Sequence, residues 1–167
     1  ARRRTGFPIH HGALCDLRLP AGSFDVITGF DVVEHVHDPR AFLKETARLL
    51  RPGGLLFLVT PNVSGWSRRL MGRFWFHFKP LEHTYYFDRR TLGRFLEEAG
   101  FETVEVRRNL RRVNLRFVCE RMRSYSRALG RVLHPLAGRW SWSERLAFPL
   151  YTGEIEVLAR KEAAPEA

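Results

Sequence analysis

The arrangement that most limits how this chain can fold lies between residues 20 and 62, where two short apolar segments flank an amphipathic one. Residues 24–30 combine Phe24, Val26, Ile27 and Phe30 and follow the turn-prone Pro20, Ala21, Gly22 and Ser23, which predicts a buried, central strand. Asp38 then offers an N-cap with Pro39 at the first helical position, and Phe42, Leu43, Thr46, Ala47 and Leu50 recur on one helical face. Arg51, Pro52, Gly53 and Gly54 are expected to end that helix. Residues 55–60 are apolar on both faces, as in a strand covered by helices on two sides, and Pro61 and Asn62 stop it. Strand, helix and strand in this order predict a right-handed parallel unit, with a ligand edge at residues 29–35 and 61–65, beyond the strands' carboxyl ends.

The remainder extends the same α/β pattern. Residues 64–87 form an irregular basic and aromatic stretch containing Trp66, Arg68, Arg69, Arg73, Trp75 and Lys79. Asp88 caps a further helix with Leu92, Phe95, Leu96 and Ala99 inward and Gly100 at its end, and residues 101–107 follow as a strand. From residue 109 to about 132, apolar residues recur every three to five positions between arginines, which predicts a basic amphipathic helix or helix pair. A Pro-, Gly- and Trp-containing loop leads to a last strand at 153–160 and a frayed tail. The expectation is one domain over residues 1–167, with 64–87 and 109–150 as a basic helical cover or lid.

Composition narrows the function classes. No apolar run is long enough for a membrane span, and Ala1-Arg2-Arg3-Arg4 leads into Thr5-Gly6-Phe7-Pro8 rather than an export signal. Two cysteines, Cys15 and Cys119, are too few for a metal knuckle or disulfide framework and fit a reducing cytoplasm. The net charge of +10 suits an anionic partner. No nucleic-acid-binding module accompanies it, so nucleic acid is not the expected partner; an anionic membrane surface, touched peripherally by the basic helices on the cytoplasmic side, is the other expectation.

Residues 24–27, then Asp31, Val32, Val33, Glu34, His35 and Val36, Asp38-Pro39, and Leu49 to Gly54 together resemble the middle of class I S-adenosylmethionine-dependent methyltransferases of the ubiquinone-biosynthesis O-methyltransferase type. Glu82, His83, Thr84, Tyr85, Tyr86 and Phe87 ahead of a helix ending in Glu97, Glu98, Ala99 and Gly100 are similar to a later segment of the same enzymes. The resemblance implies a Rossmann-like, mostly parallel sheet of order 3-2-1-4-5-7-6 with the last strand antiparallel. Residues 24–30 and 55–60 would be its fourth and fifth strands, and residues 9–12 the remnant of the third. It also implies a preceding glycine-rich turn and an acidic strand end that hold most of the cofactor. Neither is in this sequence, so an amino-terminally truncated domain is expected, one that does not by itself bind S-adenosylmethionine measurably.

By position in such enzymes, Gly29, Phe30 and Asp31 would face the adenosyl group, and Leu14 and Asp16 would flank the adenine. Asp31, Glu34 and His35 fall at i, i+3 and i+4, so on a helix they share one side. The resemblance gives such a cluster a divalent cation such as Mg²⁺ near the acceptor hydroxyls. Three uses stay open for Glu34 and His35: cation ligands, a general base at His35, or bracing of the loop. His83 is a second acceptor-side candidate, with helix-end packing as its alternative. Methyl transfer to an oxygen or nitrogen of a small molecule, lipid or sugar is the implied reaction; a non-catalytic binding module or a membrane-associated protein is the alternative.

Overall fold

The computed structural model describes residues 6–114 and 147–163. Its frame is a four-stranded sheet in the order β1-β2-β4-β3, built from β1 (Phe24–Phe30), β2 (Leu50–Pro61), β3 (Phe101–Asn114) and β4 (Ala147–Lys161). β1 pairs with β2 in parallel, and β4 runs antiparallel to both of its neighbours, β2 and β3. Three strands therefore point one way and share a carboxyl rim, as the 4-5-7-6 part of the expected order requires. Among the described strands β1 is an edge, not the centre predicted: nothing described pairs with its outer side, and Phe24, Val26 and Phe30 are exposed. Residues 9–12 form no strand. They are exposed and have no neighbouring ladder to complete, without which an extended segment is not a stable strand.

Among the described residues three α-helices accompany the sheet, α1 (Pro39–Leu49), α2 (Trp66–Met71) and α3 (Arg89–Glu98). α1 starts where predicted, because Asp38 Oδ1 accepts from the amides of Arg40 and Ala41 at 2.9 and 3.0 Å and Pro39 needs no partner. It ends at Leu49, and residues 51–54 belong to β2, where they make an irregularity that shifts the pairing from Phe24–Leu50 to Val26–Leu55. Gly54 is required there, since a Cβ would lie 2.9 Å from the Arg51 carbonyl oxygen. α3 carries a capping box: Asp88 Oδ1 accepts from the Thr91 amide at 2.8 Å while Thr91 Oγ1 accepts from the Asp88 amide at 2.9 Å.

α1 and α3 lie on the same face of the sheet. Leu43 and Ala47 of α1 and Leu92 and Leu96 of α3 join Leu56 and Leu58 of β2 and Ile155, Val157 and Ala159 of β4 in one buried cluster. On the opposite face Leu55 and Phe57 are only partly buried, so the two-sided helical cover predicted for β2 is not seen among the described residues. The basic segment from residue 109 also departs from expectation. Residues 109–114 continue β3, with Leu110 opposite Tyr151 and Val113 opposite Phe148, and residues 147–150 belong to β4. A spacing of three between Leu110 and Val113 fits a helix; in the strand the two side chains fall on opposite faces, Leu110 exposed and Val113 buried, and the partner strand β4 decides. The rest of the predicted helix, with Cys119, lies outside the described residues. None of the described helices is long and apolar enough to cross a membrane.

Candidate active site at the carboxyl rim of the sheet

At the end of β1 the backbone of Asp31 adopts φ 52°, a left-handed conformation that aspartate tolerates better than most residues. Its amide donates to the Val59 carbonyl at 3.0 Å, tying the strand exit to β2, and a single turn follows in which the His35 amide donates to the Val32 carbonyl at 2.9 Å. Because this is one turn and not a helix, Asp31, Glu34 and His35 do not share a side. Glu34 enters the core, His35 stays exposed, and Asp31 meets Arg111 of β3 with Oδ2 3.0 Å from the guanidinium.

The structure brings together Glu34, His35 and His83 instead, each presenting one ligand-competent atom within 4.8 Å of the others. Glu34 is 1% exposed, and its Oε2 accepts from Thr60 Oγ1 at 3.0 Å while Oε1 has no hydrogen-bond partner. Burial pushes its carboxyl above the usual carboxylate range, against the hydrogen bonds that favour the charged form. His35 Nδ1 lies 2.7 Å from the Glu82 carbonyl oxygen; since a carbonyl only accepts, this fixes the proton on Nδ1 and leaves the lone pair on Nε2. His83 is buried, packs edge-on against His35 at 4.7 Å, and keeps an unpartnered Nδ1. Burial, then the neighbouring His35 and Lys79, lower its affinity for a proton, so it is neutral at neutral pH. The segment around His83 is held by the same loop, because the amides of Thr84 and Tyr85 both donate to the Glu34 carbonyl, at 2.9 and 3.1 Å.

A second buried carboxylate, Glu154 at the start of the β4 pairing with β2, forms a different kind of cluster. It is also 1% exposed, but Oε2 accepts from Arg111 Nε at 2.8 Å and from Asn109 Nδ2 at 2.8 Å. Arg111 thus bridges Glu154 and Asp31. His77 Nε2 stands 3.6 Å from Glu154 Oε1, too far for a hydrogen bond, and burial pulls its pKa from 6.5 to about 4, so at neutral pH this contact is not an ion pair. Thr60, His77, Arg111 and Glu154 were not legible in the sequence. Glu154 and Glu156 look alike in an alternating strand, and only the register with β3 and β2 separates them.

Beside the carboxyl end of β1, Leu14 lines an apolar cleft of about 420 Å³ with Val32, Val36 and Phe42. Asp16 is exposed on the single 3₁₀ turn Leu14–Asp16 and is not part of that lining. Phe30 is exposed at the strand end, next to Phe57 at 5.8 Å. Gly29 is buried, and a Cβ there would come 2.9 Å from Leu58 Cδ2. Packing of β1 on β2 is therefore enough to demand a glycine, without any ligand.

Comparison with known proteins agrees with this geometry. A family model described as "Methyltransferase domain" matches residues 4–106. A probable S-adenosylmethionine-dependent methyltransferase of Mycolicibacterium smegmatis is 42% identical over 107 residues, covering 61% of this chain and 39% of that protein. A ubiquinone biosynthesis O-methyltransferase of Parvibaculum lavamentivorans is 60% identical over 40 residues, 24% of this chain and 16% of the relative. The match thus spans about two fifths of the first relative's length and less of the second. The fold superposes on a methyltransferase of Thermotoga maritima, described as a possible histamine N-methyltransferase, with a TM-score of 0.60 at 17% identity, covering 96% of this chain and 67% of the other. With the sheet order and the matched segment in agreement, the chain belongs to the S-adenosylmethionine-dependent methyltransferase family, with the Rossmann-like fold of class I.

Proposed function

We propose that this chain supplies the acceptor-side rim and the adenine cleft of an enzyme that moves a methyl group from S-adenosylmethionine to an oxygen or nitrogen of a small molecule, lipid or sugar. The observation that carries the reading is the buried Glu34, which has one unpartnered oxygen and offers a carboxylate oxygen within 4.8 Å of ring nitrogens of His35 and His83 at the carboxyl rim. The apolar walls of the Leu14 cleft fit an adenine ring, so the residues present suit that end of the cofactor. The cofactor brings a methyl already activated on a sulfonium, which leaves the protein to align the acceptor, exclude water and, for a hydroxyl, receive a proton.

His35 is built for that last task. Its Nδ1–H is anchored on Glu82, so Nε2 faces outward as a base for an acceptor hydroxyl. The same three side chains also form a set of one carboxylate and two imidazoles that could hold a divalent cation next to that hydroxyl. Such donors suit Mn²⁺ or Zn²⁺ better than Mg²⁺, which prefers oxygen ligands. Millimolar S-adenosylhomocysteine, at an affinity too weak for calorimetric titration of this chain, is expected to shift the amides of Leu14, Val32, Val36 and Ala41 in isotope-labelled chain. Mn²⁺ should broaden His35 and His83 in the native chain and not in Glu34→Gln. Shifts confined to other regions would remove the adenine assignment, and Mn²⁺ broadening that survives Glu34→Gln would remove the cation site.

A second reading concerns location. Trp66, Leu70, Phe74, Phe78 and Leu81 are exposed large apolar side chains interleaved with Arg68, Arg69, Arg73 and Lys79, the composition of a surface that rests on anionic lipid. Co-sedimentation with phosphatidylglycerol vesicles that weakens with salt supports it, and equal partition onto neutral phosphatidylcholine vesicles counts against it.

A further inference from the structure

Beside the methyltransferase rim, on the side of the antiparallel pair, lies a cleft of about 440 Å³ that the proposed reaction does not use. Asn62, Ser64 and Gly65, just beyond the end of β2, form one wall, and Arg107 and Arg108 of β3 form another. Arg69 of α2 and Arg89 of α3 complete the ring; no carboxylate lines the cleft, and Arg69, Arg89 and Arg108 stand on its side of the sheet.

Their partners show which of these charges is available. Arg89 Nη2 donates to the Val106 carbonyl at 2.8 Å, which fixes the group in place while keeping its charge. Arg107, opposite Glu156 in the register, pairs with Glu105 on the other face of β3, so its guanidinium is turned away from the cleft. Arg69 and Arg108 have no carboxylate partner among the described residues, and Arg108 is held over the Tyr151 ring, 5.9 Å from its centroid. Tyr151 in turn stands 5.9 Å from the exposed Trp66 ring at an interplanar angle of 34°. Gly65 is part of the same arrangement: a Cβ there would lie 2.9 Å from the Tyr151 hydroxyl, so the close seating of α2 on β4 that positions Trp66 and Arg69 depends on the glycine.

Several guanidinium groups converging without an acid between them leave like charges uncompensated, an arrangement that an anion relieves; the planar fork of arginine matches phosphoryl oxygens two at a time. An exposed aromatic face next to the charges gives a ring on the same ligand a surface to stack on. The volume is that of a small-molecule site. We propose that this cleft binds the phosphoryl end of a ring-bearing phosphate ester, with Arg69, Arg89 and Arg108 on the phosphoryl oxygens and Trp66 against the ring. The site stands independently of methyl transfer and would hold its ligand whether or not the rim is active.

Tryptophan fluorescence and calorimetric titration of the full chain with uridine diphosphate, in low salt, test it. Saturable binding is expected, weaker by at least tenfold in Arg69→Gln/Arg108→Gln and unchanged in Arg90→Gln, which removes equal charge per site from the outer face of α3. Uridine alone should bind at least tenfold more weakly than its diphosphate. Both variants alter exposed side chains, and unchanged circular dichroism confirms that they are folded. Displacement of uridine diphosphate by phosphatidylglycerol vesicles assigns the phosphoryl group to a lipid headgroup, and failure to displace it assigns a soluble ester. The proposal is overturned if uridine diphosphate and inorganic pyrophosphate both fail to saturate, if the double variant binds like the native chain, or if Arg90→Gln loses as much as the double variant.

Discussion

Glu34 and Glu154 are equally buried at the same rim of one sheet, yet their surroundings differ. Glu154 is answered by a guanidinium, a carboxamide and a nearby neutral histidine, whereas Glu34 has one threonine hydroxyl, an oxygen with no partner and two more histidines nearby. A buried carboxylate that the fold has satisfied is a structural element, since Arg111 joins β3, β4 and the exit of β1. Glu34 keeps a desolvation cost that its hydrogen bonds only partly offset, and such half-satisfied groups concentrate where a ligand, ion or proton is to be received. Burial raises the carboxyl of Glu154 as well, against the pull of Arg111, so the difference between the two lies in their partners.

The largest test of that division concerns His77. Its pKa of 6.5 in the unfolded chain falls to about 4 on folding, so the fold favours the neutral ring. That contribution is complete above pH 6.5 and is lost as pH falls toward 4, by about 3 kcal/mol in total. Urea denaturation at pH 7, 5.5 and 4.5 should show this slope in the native chain and a clearly shallower one in His77→Gln; equal slopes would place the acid sensitivity elsewhere. His83 shifts in the same direction and should keep part of the slope in the variant.

Next in size is Arg111→Met. It leaves Glu154 buried without its guanidinium and frees Asp31, and because Arg111 is partly exposed the loss should be about 2 kcal/mol, below the full cost of breaking a buried pair. A change under about 0.5 kcal/mol in the urea midpoint would mean that water satisfies Glu154 as well as arginine does, and the contrast with Glu34 would collapse.

The smallest stability effect is expected for Glu34→Gln, within about 1 kcal/mol at pH 7, because the amide keeps the Thr60 contact and removes a charge the fold disfavours. The carboxyl's raised pKa means that its contribution to stability is full below pH 4.5 and declines as pH rises through the folded value, so the variant should be flatter than the native chain over that window. A large destabilisation by Glu34→Gln would make Glu34 a scaffold residue like Glu154. Loss of Mn²⁺ broadening with little loss of stability would sharpen the distinction instead.

Much of the fold was legible because local rules and tertiary demands agree there. Asp38 with Pro39 and the Asp88–Thr91 pair set helix starts by chemistry contained within a few residues, and the apolar run after Gly54 had only a strand to become. Legibility failed where two periods compete. Leu110 and Val113 satisfy a helical spacing, but pair continuously with β4 on opposite faces of a strand, and only β4 alongside chose between the two. At the site, Glu34 and His35 were visible as a motif, but Asp31 was misplaced beside them, because its left-handed backbone turns it toward Arg111.

The sequence by itself determined the order of the elements, the caps that start two of the helices, and the family, since these depend on neighbours in the chain. Tertiary structure alone decided that His83, 48 positions beyond His35, completes the cluster around Glu34, and that Arg111 silences Glu154 and not Glu156. The physical reason is that desolvation and partnering act through space: a carboxylate's role is set by which groups the strand register brings within about 3 Å of it, and no local pattern encodes that distance.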